Sequence, residues 1–261
     1  MFDYHMHSRV SYDGHDAPEQ MVQAAMNAGL REICFTDHLD YLNCQPRSQT
    51  SFTLDAYSRA YDHLAAEGIK IRKGAEVGLT PWNMEELSRD ISARRYDFVL
   101  GSVHFIDDED PYLPPFWVGK TVEQAERIYF EEMLRCVRIH ENFDVLGHLT
   151  YIGKVRAHPD PKPVRLDDYR ELVEEILKEL AKKGKGIEVN TSGIDRCGAY
   201  LPAKEFLQLF KSLGGEIVTV GSDAHTSDRV GQYTREACAM VQEVFGYVCT
   251  FADRKPIFHK V

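Results

Sequence analysis

The sequence predicts an α/β protein built on a parallel sheet, and three observations carry that expectation. Short β-like runs alternate with longer runs of helical periodicity from one end of the chain to the other. The alternation yields seven or eight βα units, which favours parallel strands joined by helical crossovers. No internal repeat, low-complexity segment or long linker divides the chain, so residues 1–261 read as a single domain. An open doubly wound sheet and a closed barrel both fit this pattern.

Taken in order, the first strand is expected at 2–7, "FDYHMH". A helix follows at 18–29, where Pro18 suits the first turn and Gly29 the C-terminal cap. The second strand is 32–37, "EICFTD", and the next helix 54–67. Strand 69–75, "IKIRKGA", precedes helix 83–94, and strand 97–103, "DFVLGSV", precedes helix 121–141. Strand 144–148, "DVLGH", leads to helix 168–183, in which Leu172, Val173, Ile176, Leu177 and Leu180 recur at helical spacing before Gly184. Strand 186–190, "GIEVN", is followed by helix 203–213, and strand 216–221, "EIVTVG", by helix 234–245. A short run at 247–251, "YVCTF", is a candidate to close the set. Segments 39–53 and 105–120 are the least regular and read as loops beyond strand ends, the place where α/β barrels build their sites.

Composition narrows the function. Hydrophobic content of 43% and charged content of 28% are those of a globular chain, and no run reaches the length of a membrane helix. The N-terminus lacks the pattern of a signal peptide, and six scattered cysteines without a C-x-x-C pair imply a reduced, cytoplasmic protein. A net charge of −10 argues against a broad nucleic-acid surface and leaves an anionic substrate in need of a local reversal of sign. Nothing in the sequence sets the oligomeric state.

The histidines supply that reversal. His5 and His7 close the first strand, with Asp13 in the loop beyond; His38 closes the second, Glu76 the third, His104 the fourth and His148 the fifth. Asp223 and His225, in "GSDAH", follow the strand at 216–221. One strand-end histidine is ordinarily a capping or solvated group. Six of the eleven at predicted strand C-termini are not explained that way. The set offers nitrogen and oxygen donors without a thiolate, which suits catalytic Zn²⁺, Mn²⁺ or Fe²⁺. It exceeds the needs of one tetrahedral ion and fits two or three ions bridged by a carboxylate. Asp13, Glu76 and Asp223 carry three negative charges, so three divalent ions would leave the cluster with a charge of about +3.

In this order, "HMH" with Asp13 downstream, "TDH", Glu76, "GSVH", "GHL" and "GSDAH" resemble the polymerase and histidinol phosphatase (PHP) superfamily along nearly the whole chain. "ICFTDHLDY" and "NTSGIDR" resemble its single-domain histidinol-phosphatase branch. The resemblance implies a distorted (β/α)7 TIM-like barrel with a trinuclear metal centre, zinc among the candidate metals, at its C-terminal face. It implies His5, His7, Glu76 and Asp223 on one ion, Asp13, His38 and His225 on a second, and Glu76, His104 and His148 on a third. Glu76 would bridge the first and third. In "SYDGHD" the ungapped spacing favours Asp13 as ligand over His15.

The activity implied is hydrolysis of a small phosphomonoester, L-histidinol phosphate in histidine biosynthesis, with Asp13, Glu76 and Asp223 as the carboxylates of the catalytic centre. Direct attack on phosphorus by a metal-bridging hydroxide is expected. Arg156 and Arg196 are the expected phosphate contacts, with Lys154 a third basic candidate. Asp40, Tyr41, Asp107, Asp108, Glu109, Phe116 and Trp117 are available to a cationic amino alcohol, although "DDED" reads more simply as a solvated run. His15 and Asp40 are the candidate general acids. Alternatives are another small phosphomonoester, a nucleotide phosphodiester, or a non-catalytic metal-binding module.

Overall fold

The computed structural model describes residues 1–43 and 45–260, apart from the side chain of Arg47. Cys44, counted above with the reduced cysteines, lies outside them; Cys34, Cys136, Cys197, Cys238 and Cys249 are buried and free. The strands are β1 (Phe2–Met6), β2 (Glu32–Phe35), β3 (His38–Leu39), β4 (Lys70–Gly78), β5 (Phe98–Ser102), β6 (Val145–Leu146), β7 (Gly186–Asn190), β8 (Val218–Gly221), β9 (Val248–Ala252) and β10 (Lys255–His259). The helices are α1 (Pro18–Asn27), α2 (Leu54–Tyr61), α3 (Met84–Ser92), α4 (Pro114–Trp117), α5 (Val122–Ile139), α6 (Arg170–Lys182), α7 (Ile194–Cys197), α8 (Lys204–Ser212) and α9 (Thr234–Phe245). Among the described residues no helix is long and apolar enough to cross a membrane.

Parallel pairing runs β1-β2-β4-β5-β6-β7-β8, with β3 beside β4. The ends of this path meet through a bridge between Met6 and Ala224, where the His7 N–H donates to the Ala224 carbonyl at 2.8 Å and the Asp223 N–H to the His5 carbonyl at 2.7 Å. Asp3 reinforces the seam, its carboxylate accepting the N–H groups of Ser222 at 2.8 Å and Gly231 at 2.9 Å. The result is a nearly closed seven-strand barrel, which decides between the open and closed arrangements. Strands β1, β5, β7 and β8 are buried along their whole length, and the polar residues Asp3, His5, Glu188 and Asn190 within β1 and β7 are buried with them.

The helices form where periodicity and caps agree. In α5 the Thr121 hydroxyl accepts from Gln124 N–H and the Gln124 side chain accepts from Thr121 N–H, a reciprocal cap. Helix α6 buries Val173, Ile176, Leu177 and Leu180 of the stripe read from the sequence and leaves Leu172 half-buried.

Three strand expectations are corrected. The third strand continues to Gly78, so Glu76 lies inside β4 and not at its end. The second strand stops at Phe35; His38 opens the separate β3, in register with Glu76. The run at 247–251 does not join the barrel. It forms an antiparallel hairpin with β10 across Asp253 and Arg254, both at positive φ (50° and 62°). That hairpin packs under the barrel: Phe251 meets Phe98 at 4.9 Å, and the Phe251 carbonyl accepts from Tyr4 Oη at 3.0 Å.

Candidate metal centre

The ligands named from the sequence converge at the C-terminal ends of the strands. His5 sits inside β1 and His7 one residue past it; His104 and His148 lie two beyond β5 and β6, and Asp223 two beyond β8. Gly221 makes this approach possible, because a Cβ there would come within 2.2 Å of His5 Cβ and 2.4 Å of Glu188 Oε1. Asp223 follows in the left-handed region (φ 57°), a conformation that Asp tolerates better than most residues, and so turns its carboxylate back into the cluster.

Three sets of donor atoms correspond to the ions implied above, and His38, Asp40 and His104 form a further, overlapping group. In the first, His5 Nε2 and His7 Nε2 are 3.1 Å apart; His5 lies 3.1 Å from Glu76 Oε2 and 3.4 Å from Asp223 Oδ1, and His7 lies 3.4 Å from both oxygens. An ion with bonds of 2.0–2.1 Å in tetrahedral coordination spaces its donors by roughly 3.3–3.4 Å, so this set has the size of a single site. In the second, Asp13 Oδ2 lies 3.3 Å from His38 Nε2 and 3.1 Å from His225 Nε2, with His7 alongside. In the third, Glu76 Oε1 lies 3.2 Å from His104 Nε2 and 2.9 Å from His148 Nε2. Glu76 therefore turns one oxygen to each of two sets.

The orientation of the rings fits ligation. His5 Nδ1 donates to Glu188 Oε1 at 2.7 Å, His104 Nδ1 to Asp40 Oδ1 at 2.9 Å, and His225 Nδ1 to the Asp223 carbonyl at 2.9 Å. Each bond fixes its ring with Nε2 facing the cluster, where the carboxylates, against the effect of burial, hold His5, His104 and His225 above the usual histidine range, so that a bound cation would take the place of the Nε2 proton. Burial, with His225 and His38 alongside, pushes His7 down to about 3 and keeps it neutral. Burial alone would protonate Asp223, but Lys154 and His5 hold its carboxyl well below the usual range; His5, His104 and His38 do the same for Glu76. Asp13 Oδ1 and Glu76 Oε2 are buried without a hydrogen-bond donor, as expected of oxygens shaped for a cation. The donor set therefore fits divalent metal.

Above the ligands opens a cleft of ≈ 500 Å³, a size suited to a small molecule. Asp13 faces the cluster, whereas His15 is an exposed lining residue absent from the donor sets. Lys154 lines the cleft, its Nζ 2.7 Å from Asp223 Oδ2 and 2.6 Å from Ser192 Oγ. Arg156 and Arg196 are not brought into it: both are exposed, and Arg196 Nη2 donates to the Arg156 carbonyl at 2.8 Å. Phe116 and Trp117 are buried packing residues of α4, not cleft walls. Sequence reasoning missed Glu188 and the cleft-lining Asp110. The available signal for Glu188 was a carboxylate inside the apolar run "GIEVN", a costly group unless partnered.

Comparison with known proteins agrees with this geometry. The PHP domain model matches residues 3–192. Histidinol-phosphatase of Lactococcus lactis subsp. lactis (strain IL1403) is 34% identical over 258 residues, covering 97% of this chain and 95% of that one. A probable histidinol-phosphatase of Clostridium acetobutylicum is 28% identical, covering 99% and 96%. The crystal structure of the Lactococcus lactis histidinol phosphate phosphatase, complexed with zinc, L-histidinol and phosphate, superposes with a TM-score of 0.88 at 32% identity over 98% of each chain. By fold, donor set and sequence, this chain belongs to the PHP domain family.

Proposed function

We propose that the chain is a metal-dependent phosphatase that hydrolyses L-histidinol phosphate to L-histidinol and phosphate, and that residues 1–261 act as one catalytic domain. The observation that carries the reading is Glu76, whose two oxygens face separate histidine sets within 2.9–3.4 Å. The near full-length similarity to histidinol-phosphatases supports the substrate. The domain extends past the family match at residue 192, because Asp223 and His225 complete the donor sets.

Three ions would be held by His5, His7, Glu76 and Asp223; by Asp13, His38 and His225; and by Glu76, His104 and His148. Bound divalent ions supply charge to the phosphoryl oxygens and lower the pKa of water. The chain's own residues do the rest. Lys154 presents an ammonium to the phosphate, and Arg156 and Arg196, on the two loops that also carry Lys154 and Ser192, are outer contacts that reach the cleft by side-chain rotation. Among the described residues that line the cleft none is a serine, threonine or cysteine, which speaks against a hydroxyl or thiol of the chain as the nucleophile.

The test is steady-state hydrolysis by the metal-loaded protein of L-histidinol phosphate, p-nitrophenyl phosphate and bis(p-nitrophenyl) phosphate. A kcat/KM for histidinol phosphate at least 100-fold above the other two is expected. Comparable turnover of both monoesters would remove the substrate assignment, and preference for the diester would remove the monoesterase reading.

A further inference from the structure

Four carboxylates line the cleft: Asp13, Glu76, Asp110 and Asp223. Three of them face histidine nitrogens of the metal centre. Asp110 stands apart from those sets, on the loop between β5 and α4. Its Oδ1 accepts the Tyr112 N–H at 2.8 Å, and among the described residues no lysine or arginine forms an ion pair with it. It is half-buried, and its charge is felt by the phenols of Tyr12 and Tyr151 on other walls of the cleft.

The local backbone explains why this member of "DDED" is singled out. Ile106 and Glu109 exchange both backbone hydrogen bonds, at 2.9 and 2.8 Å, around Asp107 and Asp108 at positive φ (48° and 63°). Asp108 is taken by Asn43, through its N–H at 3.1 Å and its Nδ2 at 2.9 Å. Glu109 is exposed, with Lys120 Nζ at 3.5 Å. The acidic run is therefore a tight turn that spends its first three carboxylates outside the cleft and delivers the fourth to the lining.

We infer that Asp110 receives the ammonium of an amino-alcohol phosphate and sets the preference for an aminated substrate. The inference deepens the phosphatase reading above and rests on it. Phosphate at the metal centre and Lys154 fixes one end of the molecule. In L-histidinol phosphate the amine is carried by the carbon next to the ester carbon, so it stays near the cluster end of the cleft. A partly desolvated carboxylate without its own cation is the group that holds an ammonium most effectively there. The aromatic walls, Phe105, Tyr112 and Tyr151, suit the remaining ring.

The test compares L-histidinol phosphate with its deaminated analogue, 3-(imidazol-4-yl)propyl phosphate, in the wild-type protein and in Asp110→Asn and Asp110→Glu. The wild type should favour the amine by about 10- to 100-fold in kcat/KM, the range of a hydrogen bond to a charged group. Asp110→Asn should abolish that preference through KM, leave the deaminated analogue within about 2-fold, and leave inhibition by inorganic phosphate unchanged; Asp110→Glu should restore part of it. An unchanged preference in Asp110→Asn, or an equal loss on both substrates, overturns the inference while the phosphatase reading stands. Failure of the wild type to hydrolyse either compound removes both.

Discussion

Glu188 holds His5 from behind, its Oε1 2.7 Å from His5 Nδ1 while its Oε2 accepts the His148 backbone N–H at 2.8 Å. One carboxylate on β7 thus orients a ligand of the first set and the segment bearing a ligand of the third. Replacing Glu188 by Gln keeps the shape and removes the charge that makes His5 a stronger donor. Metal affinity should fall about 10- to 100-fold, the usual cost of losing such a partner. Competition with a chelating dye measures it directly, and an unchanged affinity would reduce Glu188 to a packing role.

The bridging arrangement of Glu76 makes a prediction about stoichiometry. Glu76→Ala removes the donors of two sets, whereas Asp13→Ala removes one from the second set alone. Metal analysis by mass spectrometry should find the larger deficit in Glu76→Ala. Equal deficits would mean that the two oxygens of Glu76 do not serve separate ions. Chelation of the wild type should also lower Tm, since ions bound only by the native state at 100 times their Kd stabilise it by about 2.7 kcal/mol.

Lys154 and the two arginines separate cleanly by position. Lys154 lines the cleft beside Asp223, while Arg156 and Arg196 are exposed on adjoining loops. Lys154→Met should reduce kcat/KM by about 10- to 100-fold, in line with the loss of a charge-assisted contact worth about 1.5–3 kcal/mol. Arg156→Ala and Arg196→Ala should cost less than Lys154→Met if they act as outer contacts. If either arginine variant loses more than Lys154→Met, the guanidinium and not the ammonium is the main phosphate contact.

The barrel and the convergence of nine candidate ligands were legible because strands alternate with helices and chemistry gathers at or near strand C-termini. The resemblance then implied how these residues would share ions. What escaped depends on tertiary packing. "DDED" and the two arginines carry the right charges in the right loops, but only the turn around Asp107 and Asp108 decides that Asp110 faces inward. The hairpin of β9 and β10 turns through Asp253 and Arg254 at positive φ without a glycine to announce it. Its signal lies in the tie from Arg254 to the Asp144 carboxylate, more than a hundred residues away in sequence.

The loops above the site have an anchor of their own, remote from the ligands. Glu126 on α5 is buried; it accepts from Tyr169 Oη at 2.6 Å and lies 3.3 Å from His158 Nε2. The ring of Trp117 packs on His158 at 4.7 Å, and its Nε1 donates to the Pro111 carbonyl at 2.8 Å. The loop carrying Asp110 and the loop carrying Lys154 are thereby tied to the same helix. Tyr169→Phe removes one donor from a buried carboxylate and should cost about 1–3 kcal/mol in urea denaturation. Trp117→Ala opens the contact between the two loops and should raise KM more than it lowers kcat, because the metal ligands on the strands stay in place. A Trp117→Ala protein with normal KM and normal stability would show that each loop holds its shape without the other.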